Sequence, residues 1–182
     1  MIRDAHRDDF PDGPNVTCLT AVKGNPGFSS GQHYWEVSLG NDKAGLKQSW
    51  WVGVTSADVI SKDTSPTTSN GFWFLSSSPH RAEIFKFKTK PNVLIPVVSR
   101  PKTLGVYLNY DSGELSFYNV EDKSLIGSLT AHFSGQVFPF FNPGKGDKAP
   151  MQIIGKATQD ECSDMENSPL LYDDSCENQS TR

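Results

Sequence analysis

The chain has 182 residues and a net charge of −4, a size that suits one domain and a tail better than two domains. Only 36% of its residues are apolar, no run of them approaches the roughly 18 needed to cross a bilayer, and the N-terminus lacks the apolar stretch of a signal peptide, so a cytoplasmic setting with part of the chain disordered is expected. Cys18, Cys162 and Cys176 have no metal-ligand spacing, and a body with Cys18 alone has no disulfide framework.

Residues 1–15 are polar, with Pro11, Gly13 and Pro14, and read as an irregular lead-in. Short β-type runs follow at 17–22, 32–39, 49–55, 71–75, 82–87, 104–110, 114–120, 125–129, 137–141 and 151–154, separated by turn residues such as Gly40-Asn41-Asp42 and Asn142-Pro143-Gly144. Many short strands at this spacing predict an all-β sandwich or barrel over 16–155. The firmest local feature is the hairpin around Asp111-Ser112-Gly113. Leu104, Val106 and Leu108 alternate with polar or small residues before it, Leu115 and Phe117 after it, and Gly113 supplies the positive φ such a loop needs. No amphipathic helix of three turns is expected in the body.

Residues 156–182 carry seven acids (Asp160, Glu161, Asp164, Glu166, Asp173, Asp174, Glu177) against Lys156 and Arg182, so the body is near neutral and has no basic stripe for nucleic acid. The segment is poor in large apolar residues and is expected to be a disordered acidic tail. It contains an acidic dileucine pattern, Glu166-Asn167-Ser168-Pro169-Leu170-Leu171, and two kinase-type patterns, at Ser163 and Ser168. Asn15-Val16-Thr17 and Asn178-Gln179-Ser180 match the glycosylation triplet, which without a signal peptide reads as chance.

Five motifs stand in order: Gly27-Phe28-Ser29-Ser30-Gly31-Gln32-His33-Tyr34-Trp35-Glu36-Val37, Trp50-Trp51-Val52-Gly53-Val54, Asn70-Gly71-Phe72-Trp73, the hairpin over 108–119, and Phe138-Pro139-Phe140-Phe141-Asn142-Pro143-Gly144. Together they resemble PRY–SPRY domains, the C-terminal modules of tripartite-motif ubiquitin ligases and butyrophilins, over about residues 10–155. The opening PRY motif has no counterpart in residues 1–10, which suggests a truncated module or an incomplete sequence. The resemblance implies a two-layer antiparallel β-sandwich of the concanavalin-like jelly-roll type. It also implies a non-catalytic role: recognition of a partner protein by loops at one end, as part of a ubiquitin ligase or immune-related receptor.

Carried over by position, the candidate partner-binding residues are Trp51, Ser76, Ser78, His80, Arg81, Lys145, Gly146 and Asp147, with residues 90–96 as a further loop. Some tripartite-motif relatives hold large aromatics where this chain has Ser76 and Ser78, so Trp51, Trp73 and Phe74 are the remaining aromatic candidates. Strand alternation sends Trp50 and Trp51 to opposite faces, with Trp51 facing outward. Trp35 and Trp73 read as core, His33 as a hydrogen-bonded structural histidine, and Arg81, Lys86, Lys88 and Lys90 as a solvated basic face.

The alternative is a small-ligand sensor: a phosphometabolite held near His80, Arg81 and Arg100, as the butyrophilin resemblance implies, or a carbohydrate. No nucleophile elbow, phosphate loop or zinc spacing is present, and Asp111, Asn109 and Asp147 form no recognisable calcium set. No enzyme activity, cofactor or metal is expected.

Overall fold

The structure, a computed structural model, describes residues 18–144 and 147–156. Its strands run in chain order as β1 (Val22–Lys23), β2 (Gln32–Asn41), β3 (Gly45–Leu46), β4 (Trp50–Thr55), β5 (Phe72–Ser77), β6 (Ile84–Phe87), β7 (Val93–Pro96), β8 (Thr103–Asn109), β9 (Glu114–Asn119), β10 (Ser124–Thr130), β11 (Phe138–Asn142) and β12 (Met151–Lys156). They build two antiparallel sheets, ordered β1-β11-β4-β5-β6-β7 and β10-β9-β8-β2-β12, with β3 paired to β2. This is the expected two-layer sandwich.

Period-2 alternation fixes which side chains meet between the sheets. Trp35, Val37 and Leu39 of β2 join Trp50, Val52 and Val54 of β4 in the main core, with Phe85, Phe87, Val106 and Phe117 among its other members. β4 is buried on both faces, because a second apolar cluster of Cys18, Trp51, Phe72, Phe74 and Phe140 covers its outer side. Trp50 and Trp51 therefore do part to opposite faces.

Gly53 makes that second cluster possible. It lies opposite Phe74 on β5 and Phe140 on β11. With no side chain between them, the two rings close edge to face, their centroids 5.6 Å apart. His33 is structural as expected: its Nε2 lies 2.6 Å from the Ser30 carbonyl and its ring stacks on Phe28 at 3.8 Å.

Three sequence expectations need correction. The run at 17–22 is not one strand but a 3-10 turn, Cys18–Thr20, followed by the two-residue β1. The turn carries Cys18 into the outer cluster, where burial pushes its thiol pKa up. Residues 90–96 are not simply a loop, since Val93–Pro96 pairs with β6 as the edge strand β7. Its sequence hid it, for Val93-Leu94-Ile95 is an apolar run with no polar alternation ending in a proline, although Ile95 packs against the main core. The small strand β3 was also unforeseen. The lead-in, the acidic tail with its dileucine and phosphorylation patterns, both glycosylation triplets, Cys162 and Cys176 lie outside the described residues.

The 108–119 hairpin forms as read. Gly113 has φ +76°, its N–H donates to the Asn109 carbonyl at 2.9 Å, and a Cβ there would fall 1.9 Å from the Ala131 carbonyl oxygen. Left-handed backbone at a residue with a side chain costs on the order of 1–3 kcal/mol before any clash. Gly113→Ala is therefore expected to remove at least about 2 kcal/mol of stability, read as a lower urea midpoint at unchanged slope. An unchanged midpoint would show that the hairpin can relax away from residue 131.

Candidate functional site

Strand register lays one row of side chains across the outer face of the first sheet. Asn142 pairs with Trp51, Trp51 with Ser76, Ser76 with Lys86, and Lys86 with Leu94. Directly opposed residues in a sheet point to the same side, so these five form a continuous strip. Ser76 is the short member, standing between an indole and a long ammonium side chain. The result is a groove of about 280 Å³, with Trp51, Ile84 and Leu94 as apolar lining and Arg81, Lys86 and Lys88 as its charge.

The turn after β5 sets the mouth of the groove. The Arg81 N–H donates to the Ser78 carbonyl at 3.3 Å, which folds Ser78-Pro79-His80-Arg81 back and leaves His80 and Arg81 exposed beside the opening. Five of the sequence-derived candidates, Trp51, Ser76, Ser78, His80 and Arg81, thus line one groove. Trp51 faces outward but is only 6% exposed, because Phe74 and Phe140 pack against it at 4.9 and 6.2 Å. It offers the groove an edge rather than a protruding ring. Phe74 is buried beneath it, and Trp73 turns to the main core, where its ring meets Phe133 at 5.0 Å.

Asp147 plays another part. Its carboxylate accepts from the Lys47 ammonium at 2.7 Å, from the Gln48 N–H at 3.0 Å and from the Ala149 N–H at 3.2 Å. It pins residues 147–149 to the segment that leads into β4, and so supports the strand carrying Trp51. Lys145 and Gly146 lie outside the described residues.

Sequence reasoning read Lys86 and Lys88 as a plain solvated face and passed over Ile84, whereas Leu94 falls within the 90–96 stretch that it had put on the candidate surface. The alternation of Ile84, Lys86 and Lys88 with the buried Phe85 and Phe87 was the signal that puts them on one outer strip. Among the described residues, no carboxylate forms an ion pair with Lys86 or Lys88, whereas Arg81 has a loose, exposed contact with Glu83 at 3.8 Å. Burial, together with the charge of Lys86, holds the Lys88 ammonium below the usual lysine range.

Arg100 does not join this group. Its Nη1 donates to the Ser77 hydroxyl at 2.8 Å and its Nε to the Ala82 carbonyl at 3.0 Å, while its guanidinium lies over the Phe85 ring. Ser77 is buried and Ser76 and Ser78 are half-buried, and all three line the groove. Burial holds the Arg100 pKa below its usual value, against the pull of Glu83.

No group of three His, Cys, Asp or Glu among the described residues could hold a metal. Asp111 and Asn109 instead brace the hairpin, accepting from the Gly31 and Ser112 N–H groups at 3.1 Å each. No described helix is long and apolar enough to cross a membrane.

The comparisons with known proteins agree with the fold. Human erythroid membrane-associated protein is 34% identical over a match covering 85% of this chain and 32% of that protein. Mouse butyrophilin subfamily 2 member A2 is 35% identical, over 81% of this chain and 28% of its own length. The chain thus spans about a third or less of these relatives. The crystal structure of the TRIM65 PSpry domain superposes with a TM-score of 0.60 at 25% identity, covering 78% of this chain and 72% of that one. SPRY domains of tripartite-motif and butyrophilin proteins are in general protein-interaction modules. The profile described as SPRY domain matches residues 32–155, and with the sandwich above it the chain belongs to the SPRY-domain family.

Proposed function

We propose that this domain is a non-catalytic recognition module that seats a segment of a partner protein in the Trp51–Leu94 groove, as the substrate- or ligand-reading part of a cytoplasmic ubiquitin ligase or immune-related receptor. The observation that carries this reading is the notch at Ser76, flanked in register by Trp51 and Lys86. A recess with an apolar wall and a cationic rim suits an apolar anchor with acidic neighbours, the arrangement in which a few buried contacts carry most of the affinity. Where relatives present a large side chain to their partner, this chain presents a socket and takes the anchor from the partner.

The test places a photo-crosslinking amino acid at Ser76 or Leu94, with Leu125 on β10 of the other sheet as control. One protein adduct common to positions 76 and 94, absent at 125 and lost with Lys86→Glu, is the expected result. Adducts of equal yield at all three positions would remove the groove from the reading. An adduct displaced by millimolar pyrophosphate but never containing protein would turn the site over to a small anionic ligand.

A further inference from the structure

We propose that the acidic segment 160–177 of this same chain competes for the groove, so that the domain carries its own regulatory occupant. The proposal rests on the groove reading above and adds to it a second, internal ligand. Three observations converge on it.

The first is chemistry. The groove offers Trp51, Ile84 and Leu94 together with Arg81, Lys86 and Lys88, and no described carboxylate pairs with the two lysines. The half-buried Lys86 on β6 and Lys88 just past its end repel each other, and an arriving anion relieves that repulsion. Segment 160–177 supplies what is missing. It carries Asp160, Glu161, Asp164, Glu166, Asp173, Asp174 and Glu177 and no Lys or Arg, with the apolar island Leu170-Leu171-Tyr172 between its acids. Acids flanking an apolar island match an apolar notch with a basic rim.

The second is reach. β12 delivers the chain to Lys156 at the edge of the opposite sheet, and residues 157–182 follow it. Some 20 extended residues span up to about 65 Å, whereas a domain of this size is roughly 40 Å across. The segment can lie over any face of the sandwich.

The third is magnitude. A tethered segment faces its site at an effective concentration on the order of 1 mM. An intrinsic Kd of ~0.1 mM, weak for a peptide in a mixed groove, then suffices to fill the site about nine times in ten. Such an occupant lowers the apparent affinity of any outside partner about tenfold, since the competent fraction falls in proportion. Phosphate on Ser163 or Ser168 would add about −1.5 to −2 charges each and tighten the contact.

The probe is a labelled synthetic peptide of residues 160–177, titrated by fluorescence anisotropy into two versions of the 182-residue chain. One is unmodified. The other has its seven tail acids changed to the matching amides, together with Leu170→Ser and Leu171→Ser. The peptide is expected to bind the substituted chain about tenfold more tightly than the unmodified one, because its tethered rival is gone. Adding Lys86→Glu, or separately Ser76→Trp, to the substituted chain should abolish that binding, with circular dichroism confirming the fold.

Equal affinity for both chains, no binding to either, or binding that survives both groove substitutions would overturn the proposal. So would a dimer carrying crosslinks only between molecules, which would make the occupant a second copy's tail. The outcomes separate from those of the groove reading: a protein adduct at Ser76 with no tail competition sinks this inference alone. Loss of both the protein adduct and the peptide binding sinks the groove itself.

Discussion

Replacing Asp147 by alanine is expected to cost about 3–5 kcal/mol, the loss typical of breaking a buried ion pair from one side. Lys47 has only 2% of its side chain exposed, and Asp147 has 18%. The asymmetry decides which substitution hurts more. Removing the carboxylate takes the Asp147 charge away from an ammonium deep in the protein, although the Ala149 carbonyl still accepts from it at 2.7 Å. Removing the ammonium by Lys47→Met keeps the aliphatic stem in place and leaves a partly wetted carboxylate that still accepts from the Gln48 and Ala149 N–H groups. Lys47→Met should therefore cost only about 1–2 kcal/mol.

Urea titrations of both single variants and the double variant measure the difference. The double variant should lose less than the sum of the two single losses, because once the ammonium is absent the aspartate has only the Gln48 and Ala149 N–H groups left to satisfy. A loss under about 1 kcal/mol for Asp147→Ala would mean that water reaches Lys47 and that the pair behaves as a surface contact. Asp147 was singled out in sequence as a partner-binding residue. Its measurable effect is expected on stability first, and on recognition only through the start of β4.

That case shows where sequence reading stops. Lys47 and Asp147 are a hundred residues apart, and neither periodicity nor composition links them. What joins them is the return of the 147–149 segment beside Lys47 and Gln48, between β3 and β4, a property of the closed sandwich. The two-layer architecture was legible because each long strand alternates in the chain itself: β2, β8 and β9 write their inward faces as Trp35-Val37-Leu39, Leu104-Val106-Leu108 and Leu115-Phe117. The hairpin glycine was legible for the same local reason.

Register was not legible. That Trp51, Ser76, Lys86 and Leu94 stand side by side depends on how three strand pairs align, and a shift of one residue would scatter them to opposite faces. Ser76 could be read as a missing aromatic, but not as the floor of a groove, until its neighbours across the sheet were known. The same ignorance of neighbours placed Arg100 with His80 and Arg81, although its guanidinium turns inward to Ser77 and Phe85.

Phe140→Ala is expected to lose about 3–5 kcal/mol, as for a fully buried phenylalanine truncated to alanine. It should also weaken the groove beyond what lost stability explains. Phe140 is fully buried and stands at the centre of the outer aromatic cluster. Its ring lies 5.3 Å from Phe72, 5.6 Å from Phe74 and 6.2 Å from Trp51. The cavity left by its removal opens directly behind the indole that walls the groove. Trp51 can then swing into that space, and the recess at Ser76 loses the edge that defines it.

Phe117→Ala is the matched control. Phe117 is equally buried, but in the main core, where it packs on Phe87 at 5.7 Å and touches none of the outer cluster. The two variants should lose similar stability by urea titration. At a temperature where both remain folded, only Phe140→Ala should shift the tryptophan fluorescence associated with Trp51 and reduce crosslinking from position 76. Equal loss of crosslinking in both would mean that the groove simply follows global stability. Retained crosslinking in Phe140→Ala would mean that Trp51 is held by Phe74 and the Cys18 turn alone. The expected split follows from the two-faced burial of β4: one strand carries the core on one side and the recognition wall on the other, and Gly53 is the gap through which Phe140 and Phe74 brace that wall.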